Sequence, residues 1–182
     1  MEAPITYTPG FITDPTSVFK TLWDELAWER RGLTPRREYY CNDVPAPYKY
    51  GNPEFAREYL PSPWHPAISA IRAMVEERTE AKMEVCFVNG YVDSRDHLGA
   101  HSDDSPEMDD ARPISIVTLG AEREIWFMPI SDKTAVTKLL LGSGSLCVMA
   151  PGMQDTWRHR IPKAGFECGP RISLTFRGYI AV

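Results

Sequence analysis

The apolar positions of this chain change period partway along. After Asp14, the residues Val18, Phe19, Leu22, Trp23, Leu26 and Ala27 recur at the three- and four-residue spacing of one helical face, which ends before Gly32. Asp14 is a suitable N-cap and Pro15 suits the first turn. A second stripe, Ala67, Ile68, Ile71, Met74 and Val75, has Arg72, Glu76, Glu77 and Arg78 off its face and predicts a helix from about His65 to Glu80. From Met83 the period falls to two: Val85, Phe87, Asn89 and Tyr91 alternate with Cys86, Val88, Gly90 and Val92. Further strands are expected over 114–119, 124–129, 134–141, 145–149 and 171–179, with Gly142-Ser143-Gly144 as a turn. Residues 1–13, broken by Pro4 and Pro9-Gly10, read as an extended lead-in. Residues 33–63 hold six prolines and several aromatics and read as short strands and an ordered loop.

Two helices followed by many short strands predict an α+β fold: a double-stranded β-helix, or jelly roll, with the N-terminal helices packed on one side. The length of 182 residues fits one domain, 1–182, with the jelly-roll core over 83–182. No apolar run is long enough to span a membrane, and no basic-then-apolar leader opens the chain, so a cytoplasmic monomer is expected, or a nuclear one in a eukaryote. Cys41, Cys86, Cys147 and Cys168 are widely spaced, with no CxxC pair, and fit a reducing compartment. The net charge of −5 opposes a broadly basic nucleic-acid surface. Basic residues do cluster at Arg30, Arg31, Arg36 and Arg37, and at Arg158, Arg160 and Lys163; either cluster reads as a phosphate-contacting patch or as a solvated face.

The final strand carries the clearest chemical argument. Arg171, Ser173, Thr175 and Arg177 share one face, and Ile172, Leu174 and Phe176 the other. A structural strand would turn the polar face to water. If that face lines a cavity instead, two arginines need anions, and a dicarboxylate supplies them through bidentate contacts. The stretch Asn89 to Ser105 holds His101-Ser102-Asp103, where residues i and i+2 share a face of an extended chain. With His159 this makes two histidines and a carboxylate, the set that binds non-haem Fe(II) and leaves sites open. The HxD spacing alone is weak, because a surface turn contains it by chance.

The order of motifs is more specific: Asn89-Gly90-Tyr91, then His101-Ser102-Asp103, then His159, then Arg171 and Arg177 six residues apart. With Asp96-His97-Leu98-Gly99 and Arg171-Ile172-Ser173-Leu174-Thr175-Phe176-Arg177, this resembles the AlkB-like family of iron and 2-oxoglutarate-dependent dioxygenases, over roughly residues 33–180. The resemblance implies Fe(II) held by His101, Asp103 and His159, with 2-oxoglutarate and O2 as cosubstrates. It implies that Arg171 pairs with the distal carboxylate of 2-oxoglutarate, that Asn89 and Tyr91 add hydrogen bonds, and that Arg177 lies near the iron-chelating end. It implies that 33–63 forms a substrate-binding lid, opened by Pro35-Arg36, in which Tyr48 and Tyr50 hold the target base against His101. Asp104 matches the family position that contacts the exocyclic amine of that base.

The implied reaction is oxidative demethylation of N-alkylated bases, such as 1-methyladenine and 3-methylcytosine, in DNA or RNA, with release of succinate, CO2 and formaldehyde. These lesions are cationic, so an acidic pocket favours them. Where DNA-repair members commonly place a further acid, this chain has Ser105, and no long basic extension or partner motif is recognisable. A single-stranded substrate is therefore expected. The alternatives are a hydroxylase of a protein side chain, nucleotide or small molecule, and a non-enzymatic jelly-roll binding module.

Overall fold

The computed structural model describes residues 2–32, 34–50, 57–132 and 134–180. The elements, in chain order, begin with strand β1 (Ile5–Thr8), helix α1 (Pro15–Glu25), and strands β2 (Arg37–Asn42), β3 (Tyr48–Tyr50) and β4 (Arg57–Tyr59). Helix α2 (Pro66–Thr79) comes next, then β5 (Val85–Tyr91), β6 (Leu98–His101), β7 (Ile114–Gly120), β8 (Arg123–Pro129), β9 (Thr137–Leu141) and β10 (Ser145–Met149). A 3-10 turn (Met153–Asp155), β11 (Trp157–Ile161) and β12 (Arg171–Arg177) complete the chain. Six strands form a major sheet in the order β1-β10-β7-β12-β5-β2, and four form a minor sheet in the order β6-β11-β8-β9; β3 and β4 make a separate hairpin. All of the named pairings are antiparallel.

Both helices start as their sequences dictate. The Asp14 carboxylate accepts from the Ser17 N–H, and Pro15 stands in the first turn. His65 caps α2 through Nδ1, which accepts from the Ala67 N–H. Leu22, Leu26, Ile68, Ile71 and Val75 then bury against one face of the major sheet, where Cys86, Val88, Val117, Leu119, Ile172, Leu174 and Phe176 meet them. Burying this many branched side chains fixes the period-two alternation of β5 and β12, because a one-residue slip would turn Arg171 and Arg177 into the apolar layer. The opposite face of the major sheet, with Asn89, Tyr91, Ser173 and Thr175, looks across at the minor sheet.

The sequence expectations need five corrections. Residues 5–8 are not lead-in but an edge strand paired with β10. Of residues 33–63, β2 belongs to the major sheet beside β5, so the β3–β4 hairpin is the part that stands outside the two sheets. Helix α1 ends at Glu25, which leaves Ala27 exposed rather than in the core stripe. Strand β9 starts at Thr137 because Thr134 is held in a turn, its N–H and hydroxyl both donating to the Asp132 carboxylate. Finally, β11 is a full strand in the minor sheet, although its alternation with two arginines hid it. All four cysteines are free thiols, and Cys41, Cys86 and Cys147 are buried.

Gly120 closes β7 at φ +85°, and a Cβ there would stand 2.5 Å from the Pro170 carbonyl oxygen and 2.8 Å from the Phe19 ring. Gly120→Ala should therefore cost more than about 1 kcal/mol of stability, combining left-handed strain with a backbone clash. Urea unfolding checks this: the midpoint should fall with an unchanged m-value, and an unmoved midpoint would show that the turn relaxes freely.

Candidate functional site

The two sheets enclose a cavity of about 560 Å³, counting its open mouth. One wall comes from the major sheet: Phe87, Asn89 and Tyr91 on β5, Ile116 on β7, and Ser173, Thr175 and Arg177 on β12. The other comes from the minor sheet: Leu98, His101, Ile125, His159 and Ile161, with Asp103 just beyond β6. Antiparallel register produces the constellation. His101 and His159 are directly opposed across β6 and β11, so their rings meet at a centroid distance of 4.3 Å. Asp103 reaches both, 3.5 Å from His101 Nε2 and 3.7 Å from His159 Nε2. One ligand atom from each of the three lies within 4.8 Å of the others.

Asp103 does not arrive there by strand alternation, because β6 ends at His101. Its place is set by Gln154 in the 3-10 turn, whose Oε1 accepts the Asp103 N–H at 2.9 Å in a buried setting. Ser102 donates to the Trp157 carbonyl and pins the same segment to β11. Gln154 was not read from the sequence; a lone glutamine in a turn gives no signal until the strands on either side are placed. The His101 ring is fixed from behind. Its Nδ1 lies 2.9 Å from the Gly99 carbonyl oxygen, which can only accept, so Nδ1 donates there and Nε2 is the nitrogen turned toward Asp103.

The charges suit metal binding. Burial alone would raise the Asp103 carboxyl, but the Arg177 guanidinium 3.5 Å away, together with His101 and His159, holds it well below the usual carboxylate range. Burial, reinforced by His101 and Arg177, lowers His159 to about 3 against the opposing pull of Asp103. At neutral pH the trio therefore presents a neutral imidazole on His159 and an ionised carboxylate, the forms a divalent cation needs. A set of two nitrogens and one carboxylate oxygen fits Fe(II) with positions left open.

The rest of the polar face fits an anion. Arg171 is fully buried, and burial lowers its pKa. All three of its guanidinium nitrogens lack a hydrogen-bond partner among the described residues, as do Nε and Nη1 of Arg177. Arg171 does not itself line the cavity; its guanidinium lies 5.0 Å from the ring centroid of Tyr91, its cross-strand partner, which does. Ser173 is likewise opposite Asn89. Arg177 has its counter-charge in Asp103, so the unmatched buried guanidinium is that of Arg171, and it calls for an anionic ligand.

Arg36 also lines the cavity, and it is fixed on both sides. Its Nε donates to Asn89 Oδ1 at 2.6 Å, and its Nη2 pairs with the buried Glu38 at 2.8 Å. Glu38 in turn accepts from the Tyr59 hydroxyl on β4, so the β3–β4 hairpin is tied to the cavity wall. The first basic cluster is thus no phosphate surface: Arg30 pairs with Asp96, Arg31 with Glu29 and Arg36 with Glu38, while Arg37 lies over Trp23. Asp96 also accepts the Val92 N–H and so anchors the loop from β5 to β6.

The expected base-holding residues are dispersed. Tyr48 lines the cavity but is only 2% exposed, its ring stacked on Tyr40 at 5.5 Å; it forms part of the wall rather than a platform standing at the mouth. The side chain of Tyr50 lies outside the described residues. Asp104 is exposed and faces a shallow depression outside the cavity, shared with Lys49, His101 and Arg158.

The chain belongs to the 2OG-Fe(II) oxygenase superfamily, whose family model matches residues 13–177. Among curated proteins it is 31% identical over 150 residues to the DNA oxidative demethylase ALKBH2 of Mus musculus, covering 79% of this chain and 61% of that one. It is 30% identical over 188 residues to the alpha-ketoglutarate-dependent dioxygenase alkB homolog 3 of Bos taurus, covering 93% of this chain and 64% of that one. The chain thus spans about three fifths of the length of these relatives. The fold is shared with a solved structure titled "The structure of OsALKBH1", at a TM-score of 0.66 and 17% identity, over 97% of this chain and 99% of that one. The expected α+β jelly roll is the fold of this family.

If Gln154 sets the Asp103 backbone, Gln154→Leu should weaken Fe(II) affinity about 10- to 100-fold while the protein remains folded. Titration with Mn(II) or Co(II), monitored by metal-centred spectroscopy, reads this directly. An unchanged affinity would show that the HxD segment holds itself.

Proposed function

We propose that this protein is an iron and 2-oxoglutarate-dependent dioxygenase that removes N-methyl groups from bases of the 1-methyladenine and 3-methylcytosine type in single-stranded nucleic acid. The observation that carries the cosubstrate is the fully buried Arg171, whose three guanidinium nitrogens lack a partner among the described residues, on the same strand face as the Arg177 that pairs with the triad carboxylate. His101, Asp103 and His159 hold the iron. Arg171 takes the distal carboxylate of 2-oxoglutarate in a bidentate contact that lysine could not reproduce. Tyr91 and Asn89 orient the cosubstrate; the Arg36 bond to Asn89 Oδ1 leaves the amide nitrogen of Asn89 to donate.

When bound, iron and 2-oxoglutarate together supply oxygen activation, with decarboxylation to succinate and hydroxylation of a nearby C–H bond. The chain's own residues position and exclude water. Arg177 keeps Asp103 ionised, and the apolar wall of Leu98, Ile116, Ile125 and Ile161 keeps the reacting carbon in a dry space. A hydroxylated N-methyl group then leaves as formaldehyde. The name and identity of the ALKBH2 relative support a nucleic-acid base as substrate, and Tyr48 and Phe87 give the cavity wall an aromatic component.

Asp103→Ala should abolish succinate formation, whereas Arg171→Ala should raise the 2-oxoglutarate requirement roughly 30-fold or more, the effect of stranding a charge partner at about 2 kcal/mol; an unaltered requirement would place the anchor elsewhere. Formaldehyde should form with Fe(II), 2-oxoglutarate and O2 only when a single-stranded oligonucleotide carries 1-methyladenine or 3-methylcytosine. Succinate without lesion-dependent formaldehyde would keep the oxygenase and discard the demethylase, in favour of a protein, nucleotide or small-molecule hydroxylase.

A further inference from the structure

A second concavity adjoins the cavity and shares His101 with it. It is shallow and open, and its rim is formed from two separate parts of the fold. Lys49, on the β3–β4 hairpin, and Arg158, on β11 beside His159, both line it, together with Ser102, Asp104, Ser105 and Pro106. The Ser102 hydroxyl is committed to the Trp157 carbonyl, and Ser105 Oγ lies 2.9 Å from the Tyr48 hydroxyl. The two cations are less constrained. Lys49 makes only a loose contact with Glu58, at 3.9 Å between two exposed groups, and the Arg158 side chain makes no ion pair or hydrogen bond among the described residues.

We propose that Lys49 and Arg158 form a phosphodiester-binding site at the mouth, which takes the backbone of the strand whose base enters the cavity. The inference rests on the demethylase reading and names how that site grips its substrate. A base extruded from a strand into the cavity leaves its sugar and phosphates at the entrance. His101 lines both the cavity and the depression, so Lys49 and Arg158 lie on the surface that adjoins the cavity at that residue. Lysine and arginine on separate elements suit a phosphate between them, each as a charge donor without base readout. Asp104, the one carboxylate lining the depression, opposes the phosphate; its own attraction is for a cationic methylated base passing over it. The site therefore favours a strand bearing a charged lesion over either a bare phosphate or an unmodified strand.

The test uses the whole protein loaded with Mn(II) and 2-oxoglutarate, which binds without turnover, and a fluorescent single-stranded oligonucleotide bearing one 1-methyladenine. Affinity is measured by anisotropy across a salt series for the wild type, Lys49→Gln, Arg158→Gln and the double variant. Each lost phosphate contact should make the slope of log K against log salt shallower by about 0.7. The double variant should accordingly lose about 1.4 of slope and bind at least about ten-fold more weakly at low salt. With Fe(II), its defect should appear in KM for the oligonucleotide rather than in kcat, and 2-oxoglutarate turnover without nucleic acid reports that the protein is folded. Wild-type demethylation of the oligonucleotide with an unchanged slope in the double variant would overturn the phosphate site alone. Absence of lesion-dependent formaldehyde from the wild type would overturn the demethylase reading, and this site with it.

Discussion

The structure turns on one electrostatic constraint: Arg171 and Arg177 are both carried into the interior by a central strand of the major sheet. Taking a guanidinium out of water costs several kcal/mol unless an anion and hydrogen-bond acceptors replace the solvent. For Arg177 the replacement is Asp103. For Arg171 none exists among the described residues, and its donors point at no acceptor. Such a group persists only where the surrounding framework is strong enough to hold it. Here β12 is hydrogen-bonded on both sides, by β7 and β5, and its other face is locked into the helix-covered core through Ile172, Leu174 and Phe176. The apolar layer and the cosubstrate face are two consequences of one alternation, so stability on one side fixes chemistry on the other.

The same logic builds the metal end from less regular parts. Register alone brings His101 and His159 together, since directly opposed residues of antiparallel strands share a face. The register shifts immediately beyond, between His159 and Ile161, and β6 ends at His101. The carboxylate must then be set by contacts outside the ladder, which is the work of Gln154 and of Ser102 on Trp157. Two ligands rest on sheet geometry and one on a turn, so the turn is where the ligand geometry is most open to adjustment.

Much of this was legible in the sequence where the signal is periodic. The faces of β5 and β12 could be read residue by residue, and their cross-strand pairs, Tyr91 with Arg171 and Asn89 with Ser173, agree with that reading. The spacing of His101 and Asp103 picked out two side chains that do converge, but not by strand alternation, since no strand continues through Asp103. Features that depend on distant partners were hidden. β1 is four residues between prolines, too short to announce itself without β10 beside it. β2 sits in a proline-rich stretch whose local composition argues for loop, and its sheet position depends on β5. The basic cluster at Arg30 to Arg37 left a phosphate patch and a solvated face both open, because the partner of Arg30, Asp96, lies far along the chain. Tyr48 carried an aromatic motif whose burial only the contact with Tyr40 reveals.

Placement of charge also resolves the conflict between an acidic chain and anionic ligands. A fold with many arginines could neutralise each one internally, and most here are so matched. Supplying Arg171 with an internal carboxylate would relieve the buried charge, yet that carboxylate would occupy the place of the cosubstrate. Leaving it unmatched confines local instability to one residue on a rigid strand, where a dianion can relieve it. Arg177 meets the opposite requirement: paired with Asp103, it keeps the carboxylate ionised, so a metal ion need not displace a proton to bind. One arginine is thus left in deficit to draw a ligand in, and the other is satisfied in order to hold a ligand-binding group ready, although both arise from the same strand and differ only by their distance along it.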